Sequence, residues 1–234
     1  MDTMMQTLLA GLDRLGIDLD GQTVDRLVRF GCAVIEQNKV MNLTAITEPD
    51  RVAELHLLDS LTLLTMEDPA GKSLLDVGTG AGFPGVPLKI AEPSLRLTLL
   101  DSLQKRMRWL KEEALPELSV EADFLTGRAE EFARAHREEY DVVTSRAVAR
   151  LDLLCELCLP FVKVGGCLLA MKGAMAEDEL AEAGHAIRIL GGQYEKTAVF
   201  PIGGAEHRVL QIRKVSPTPE KYPRPWGKMK QKPL

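Results

Sequence analysis

No run of about 18 apolar residues occurs in the chain, which excludes a membrane-spanning helix. The opening stretch MDTMMQTLLAGLDRLG lacks a basic start and carries acids inside its apolar pattern, so it reads as a helix and not as an export signal. Cysteine is scarce: four residues, Cys32, Cys155, Cys158 and Cys167. Without an export signal the expected compartment is cytoplasmic and the thiols are reduced. Cys155-x-x-Cys158 has no second pair to complete a zinc site, and it lies in ARLDLLCELCLPF, where apolar residues recur at helical spacing. Packed core thiols are expected, and no metal. Hydrophobic residues at 45% and charged residues at 27% exclude a collagenous or wholly disordered chain. At 234 residues the chain can bury a sizeable core without disulfide staples.

The net charge of −5 is unevenly spread. Residues 221–234 hold Lys221, Arg224, Lys228, Lys230 and Lys232 and no acid, leaving 24 of the 29 bases against 34 acids in the body. A basic tail on an acidic body suggests either a local contact with a polyanion or a solvated, disordered tail.

The first 70 residues read helical. Met4, Met5, Leu8, Leu9, Leu12 and Leu15 form one apolar stripe, Val24, Leu27, Val28, Val34 and Ile35 another, and RVAELHLLDSLTLL a third helix. Asp68-Pro69-Ala70-Gly71 marks the end of this cap. From Lys72 short apolar runs alternate with amphipathic segments: SLLDV, LRLTLLD, VEADFL, YDVVTS and GGCLLAMKG are strand candidates with helices between them. QYEKTAVF and HRVLQIRK follow, joined at Gly203-Gly204. This order predicts a Rossmann-like α/β sheet of about seven strands, mostly parallel, with an antiparallel hairpin at its edge. The expected organisation is a helical cap over 1–70, a sheet domain over 71–215 and a basic tail over 216–234. Ligands are expected at the carboxyl ends of the strands.

The stretch Asp76-Val77-Gly78-Thr79-Gly80-Ala81-Gly82-Phe83-Pro84-Gly85 follows the first strand and opens a helix. A formal GxGxxG match (Gly80, Gly82, Gly85) raises a dinucleotide reading. Against it stand the D-x-G-x-G-x-G register, Asp101 at the end of the second strand, and the edge hairpin. S-adenosylmethionine fits the set better, because it has no phosphates to seat on a helix N-terminus and carries a cationic methionine part that suits carboxylates. In this reading Asp76 organises the loop near the amino end, Gly78, Gly80 and Gly82 allow close approach, and Phe83 walls the cofactor. Asp101 accepts the ribose hydroxyls, and Gly127-Arg128-Ala129-Glu130 frames the adenine.

Two absences narrow the substrate. The place after the fourth strand reads Thr144-Ser145-Arg146-Ala147-Val148-Ala149, without the D/N-P-P-Y/F/W loop common in methylation of exocyclic amines. No Pro-Cys pair supplies the thiol that pyrimidine-carbon methylation needs. An acceptor with its own exposed lone pair, such as N7 of guanine, requires neither. Positioning then dominates catalysis, an effect worth roughly 7–11 kcal/mol in favourable cases. Arg146, at a strand end, is the candidate to hold guanine O6, a phosphate or the cofactor.

These segments resemble the small-subunit ribosomal RNA methyltransferase G family, also called glucose-inhibited division protein B. The matching stretches are NLTAIT at 42–47, HLLDSL at 56–61, LLDVGTGAGFPGVPLKI at 74–90, LLDSLQKRMRWL at 99–110, GRAEE at 127–131, TSRAVA at 144–149 and the tail KYPRPWGKMKQKPL. Met229 stands where that family's tail usually has proline. The resemblance implies a class I methyltransferase fold and transfer of a methyl group from S-adenosylmethionine to N7 of a guanine in 16S ribosomal RNA, in the loop near the decoding site. It implies cofactor contacts at Gly78, Phe83, Ala129, Glu130 and Arg146. The partner would be the 16S RNA or the small subunit, with no membrane, and a monomer suffices. Lys105, Arg106, Lys172, Lys221, Arg224, Lys228 and Lys230 are the RNA-contact candidates. Trp109 or Trp226 could stack on a base, while His56 reads as a structural histidine. The competing readings are a small-molecule methyltransferase and, further off, an NAD-dependent oxidoreductase or a regulatory nucleotide-binding module.

Overall fold

The computed structural model describes residues 1–234. Its N-terminal third is helical: α1 (Asp2–Leu15), α2 (Gly21–Met41), and a continuous helical run over residues 49–65. That run starts as α3 (Pro49–Val52), widens to a π-helical stretch (Ala53–Leu58), returns to α4 (Asp59–Leu61) and tightens to a 3-10 turn (Thr62–Thr65). Asp20 caps α2, its carboxylate accepting from the Thr23 N–H at 2.8 Å. Gly16, left-handed at φ 66°, ends α1.

The remainder is β1 (Ser73–Val77), α5 (Gly85–Ala91), β2 (Arg96–Asp101), α6 (Gln104–Trp109), a π-helical stretch (Leu110–Ala114), α7 (Leu115–Glu117), β3 (Asp123–Thr126), α8 (Ala129–Phe132), β4 (Tyr140–Arg146), α9 (Leu151–Cys158), β5 (Val162–Lys172), α10 (Ala176–Ile189), β6 (Gly192–Ile202), β7 (Ala205–Lys214) and α11 (Trp226–Gln231). The strands form one sheet in the order β3-β2-β1-β4-β5-β7-β6. β1 to β5 pair in parallel, while β7 pairs antiparallel with both β5 and β6. The expected hairpin is present, with β7 inserted inward and β6 outermost. β3 is the opposite edge, only partly buried, and spans four residues, Asp123–Thr126, where VEADFL was expected.

Successive strand residues point to opposite faces, and the sheet feeds two cores. Leu74, Leu97, Leu99, Val142 and Leu169 pack with Met4, Leu8, Leu27, Phe30 and Leu57 of the N-terminal helices in a cluster of 37 buried residues. Leu75, Leu100, Val143, Leu168 and Ala170 face the other way, with α9, α10 and the C-terminal residues Tyr222 and Met229, in a cluster of 26. The first 70 residues therefore share one core with one face of the sheet; the change near residue 71 is one of secondary structure, not a break in packing. Each fully buried leucine there contributes ~1.5–3 kcal/mol.

The cysteines follow the packing expectation. Cys155, Cys158 and Cys167 are buried in these cores. Burial pushes all three thiols up, Cys167 to about 12, so they stay protonated and inert. No group of His, Cys, Asp and Glu is arranged to hold a metal. No helix is long and apolar enough to cross a membrane.

Candidate functional site

Two cavities open at the carboxyl ends of the central strands and meet at Val148. The smaller, about 320 Å³, is lined by Val77, Gly78, Leu100, Asp101, Ala129 and Glu130, with Arg106, Leu157 and Trp226 among its further walls. The larger, about 710 Å³, is lined by His56, Asp59, Arg146, Lys172, Glu179 and His207, with Ala147 and Met171. Val148 borders both. It lies so close to Gly78 that a Cβ at that position would come within 2.4 Å of its Cγ2. Gly78 also sits at φ 73°, so space and backbone both demand glycine.

The loop after β1 is tied down from within. The Asp76 carboxylate accepts from the Thr79 hydroxyl at 2.7 Å and the Gly85 N–H at 2.9 Å. Gly78 and Thr79 donate to Leu100 O, Gly82 and Phe83 to Thr79 O, and Gly80 to Asp101 Oδ2. Across residues 78–86 only the Ala81 N–H has no acceptor, Pro84 having none to give. A pyrophosphate needs a nest of free N–H groups, and this loop does not offer one. An adenosyl sulfonium asks for none.

Asp101 lines the smaller cavity, and each of its oxygens already accepts a backbone N–H, Oδ2 from Gly80 and Oδ1 from Leu103 at 2.8 Å. Its carboxylate is thereby fixed, with second lone pairs left for ribose hydroxyls. Ala129 and Glu130, at the start of α8, border the same cavity.

Several expected contacts are placed otherwise. Asp76 is fully buried beneath the loop, where it organises the turn, and it borders neither cavity. Its Oδ1 has no partner, and burial raises the carboxyl to about 6 despite the Thr79 and Gly85 bonds. Gly80 and Gly82 shape the turn and do not border the cavity; a Cβ on Gly82 would meet Val86 at 2.8 Å. Phe83 walls neither cavity. Its ring is buried between Phe30, 5.2 Å away, and the stacked His56, 4.8 Å away, with the Arg146 guanidinium 5.3 Å from its centroid.

Arg146 lies in the larger cavity, apart from the residues that border the smaller one. Its Nη1 donates to Leu55 O at 2.9 Å and to Asp59 Oδ2 at 3.0 Å. Asp59 Oδ1 is paired with His207 Nδ1 at 2.8 Å. This bond raises the His207 pKa, and Arg146, Asp59 and His207 form a guanidinium–carboxylate–imidazole chain joining β4, α4 and β7. His56, buried and bonded through Nε2 to the Thr44 hydroxyl at 2.8 Å, is driven down to about 4 by burial and then by Arg146. It is neutral, as a structural histidine would be. Its tautomer is set by which partner Nδ1 takes, Leu55 O or the Arg146 guanidinium.

The basic candidates divide. Lys105, Lys221, Lys228 and Lys230 are exposed, and Arg106 is half-buried beside the smaller cavity. Lys172 is not free: it donates to Ala149 O at 2.5 Å and Glu179 Oε2 at 2.7 Å. Arg224 is not free either, being bound to the buried Glu156 carboxylate. Trp109 is core, and only Trp226 reaches a cavity. Sequence reasoning missed Asp59, Val148, Glu179 and His207. HLLDSL and TSRAVA contained the first two, but only the fold brings α4, β4 and β7 together.

A family model described as "rRNA small subunit methyltransferase G" matches residues 23–208. The chain is 45% identical to the Ribosomal RNA small subunit methyltransferase G of Pelotomaculum thermopropionicum, covering 100% of both chains. It is 44% identical to the protein of that name from Alkaliphilus metalliredigens, covering 96% of each. Among solved structures it is similar to TrmN from Thermus thermophilus, with a TM-score of 0.54, 22% identity, and coverage of 68% of this chain and 48% of that one. A 16S rRNA (adenine(1408)-N(1))-methyltransferase from Catenulisporales acidiphilia gives a TM-score of 0.53 at 19% identity, covering 64% of this chain and 88% of the other. These structural likenesses establish the Rossmann-like fold.

Proposed function

The chain belongs to the rRNA small subunit methyltransferase G family, and from that premise we propose that it transfers a methyl group from S-adenosylmethionine to N7 of a guanine in 16S ribosomal RNA, in the loop near the decoding site. The observation that carries this reading is the pair of cavities meeting at Val148, one beside a glycine loop whose N–H groups, Ala81 apart, are already used and one beside Arg146. The smaller suits the adenosyl group, with Asp101 holding the ribose, Ala129 and Glu130 the adenine, and Gly78 giving close approach. When bound, the cofactor supplies an electrophilic methyl group on a sulfonium.

The larger cavity suits the acceptor base. Its carboxylates are engaged, Asp59 by Arg146 and His207 and Glu179 by Lys172. His56 is neutral with its Nε2 against Thr44, and His207 is held through Nδ1 by Asp59, which raises its pKa. An acceptor that brings its own lone pair, as guanine N7 does, needs no proton removed by these groups before it reacts. The chain's contribution is then to orient the two partners in line and exclude water, with Arg146 fixed as a cation beside the base. The fully paired carboxylates and the exposed Lys105, Lys221, Lys228 and Lys230 fit an RNA partner better than a small neutral substrate.

We place the protein in the cytoplasm as a monomer working on the small subunit or its RNA. The test is mass spectrometry of nuclease-digested 16S RNA from cells with and without the gene. One 7-methylguanosine present only with the gene is expected. An unchanged digest would overturn the assignment.

A further inference from the structure

The C-terminal segment was expected to be a solvated or polyanion-binding tail, yet it is bolted to the body. Arg137 donates to the carbonyls of Thr218, Pro219 and Tyr222 at 2.8, 2.9 and 3.0 Å. Arg224 donates from its backbone N–H and Nε to Glu156 Oε1, both at 2.8 Å, and from Nη2 to Oε2 at 2.5 Å. Glu156 is fully buried on α9, and Tyr222 and Met229 are buried in the core of that face. Taking a carboxylate out of water is costly unless several donors compensate it, so this segment is held in one place. α11 then has two sides. Met229 points into the core and Trp226 borders the smaller cavity, while Lys228 and Lys230 face solvent.

We propose that residues 222–234 are a structural wall of the adenosyl pocket and that Trp226 is a cofactor-contact residue, its indole forming the flat apolar surface against which the adenine ring packs. This rests on the reading of the smaller cavity as the S-adenosylmethionine site. Trp226 shares that cavity with Ala129, Glu130 and Leu157, the residue after Glu156. The Arg224–Glu156 clamp thus fixes the chain two residues before Trp226 to the residue one before Leu157. An indole packs on a purine face through dispersion and quadrupole terms that do not depend on charge, leaving edge recognition to the Ala129–Glu130 turn.

The test uses the full chain and S-adenosylhomocysteine, followed by calorimetry and by tryptophan emission. The chain has two tryptophans, and Trp109 is buried in the opposite core. Trp226→Phe removes only the Trp226 signal and keeps an aromatic face. We expect binding to quench wild-type emission and to leave the Trp226→Phe variant unquenched. Trp226→Ala should weaken binding roughly tenfold, in the range of base–aromatic stacking, and Trp226→Phe should recover most of that loss. The proposal is overturned if wild type binds with unchanged emission and both variants bind equally well. It is also overturned if emission responds to an RNA oligonucleotide but not to S-adenosylhomocysteine. Wild type that fails to bind S-adenosylhomocysteine at all would instead bring down the underlying reading of the cavity. Should Trp226→Ala fail to fold, the quenching difference between wild type and Trp226→Phe decides alone.

Discussion

His56 is a residue whose protonation the fold opposes. Burial, reinforced by Arg146, lowers its pKa from 6.5 to about 4. The unfolded chain therefore binds a proton between these values that the native state refuses. The stability this contributes is complete above pH 6.5 and is lost as pH falls toward 4, by on the order of 3 kcal/mol over the whole window. A His56→Gln variant should unfold in urea with a flatter dependence on pH between 6.5 and 4 than wild type, and parallel curves would refute the assignment. Asp101 belongs to the same scale. Because it both borders the cavity and anchors Gly80 and Leu103, Asp101→Ala should weaken S-adenosylhomocysteine by about 1–3 kcal/mol in calorimetry. Wild-type affinity there would remove Asp101 from the site. Asp76, Gly78 and Asp101 were legible as a set because acids at strand ends and glycines at fixed spacing each imply local geometry. The side chain of Phe83 was not. Its destination depends on Phe30 and His56, which reach it from helices some 30 to 50 residues earlier in the chain.

At the scale of elements, the alternation of strands and helices was readable because buried parallel strands leave short apolar runs. The antiparallel hairpin was readable from its two-glycine connection. The π-helical stretch over Ala53–Leu58 left no such trace, since it keeps helical apolar spacing while shifting side chains around the axis. The attachment of the C-terminal strap was not legible in the sequence, for a plain reason. Its composition is that of a solvated tail, and the acid that binds it, Glu156, lies 68 residues away in a helix that reads as apolar. That pair is asymmetric: the Glu156 side chain is 1% exposed and that of Arg224 22%. Arg224→Ala strands a buried carboxylate and should cost about 3–5 kcal/mol in urea unfolding. Glu156→Gln leaves a guanidinium that can turn to water and should cost clearly less. The reverse order would show that the strap is held by something other than this clamp.

For the whole molecule, the continuous core beneath the sheet means that the N-terminal helices are part of the enzyme's body. A fragment of residues 71–234 would expose Leu74, Leu97, Leu99, Val142 and Leu169 at once. It should lack a cooperative thermal transition, and a sharp melt would contradict the shared core. Function at this scale is electrostatic as well: an acidic body presents exposed Lys105, next to the cavity-lining Arg106, and exposed lysines along the strap. Each of Lys105, Lys221, Lys228 and Lys230 that contacts phosphate should, when changed to alanine, lower the salt slope of RNA binding by about 1. The whole account turns on what fills the smaller cavity. A crystal structure of the full chain with S-adenosylhomocysteine tests it most directly. The account predicts density for the ribose at Asp101, for the adenine between Ala129–Glu130 and Trp226, and for the sulfur on the side of Val148 that opens toward Arg146. A ligand seated elsewhere, or no density in that cavity at saturating ligand, would contradict it.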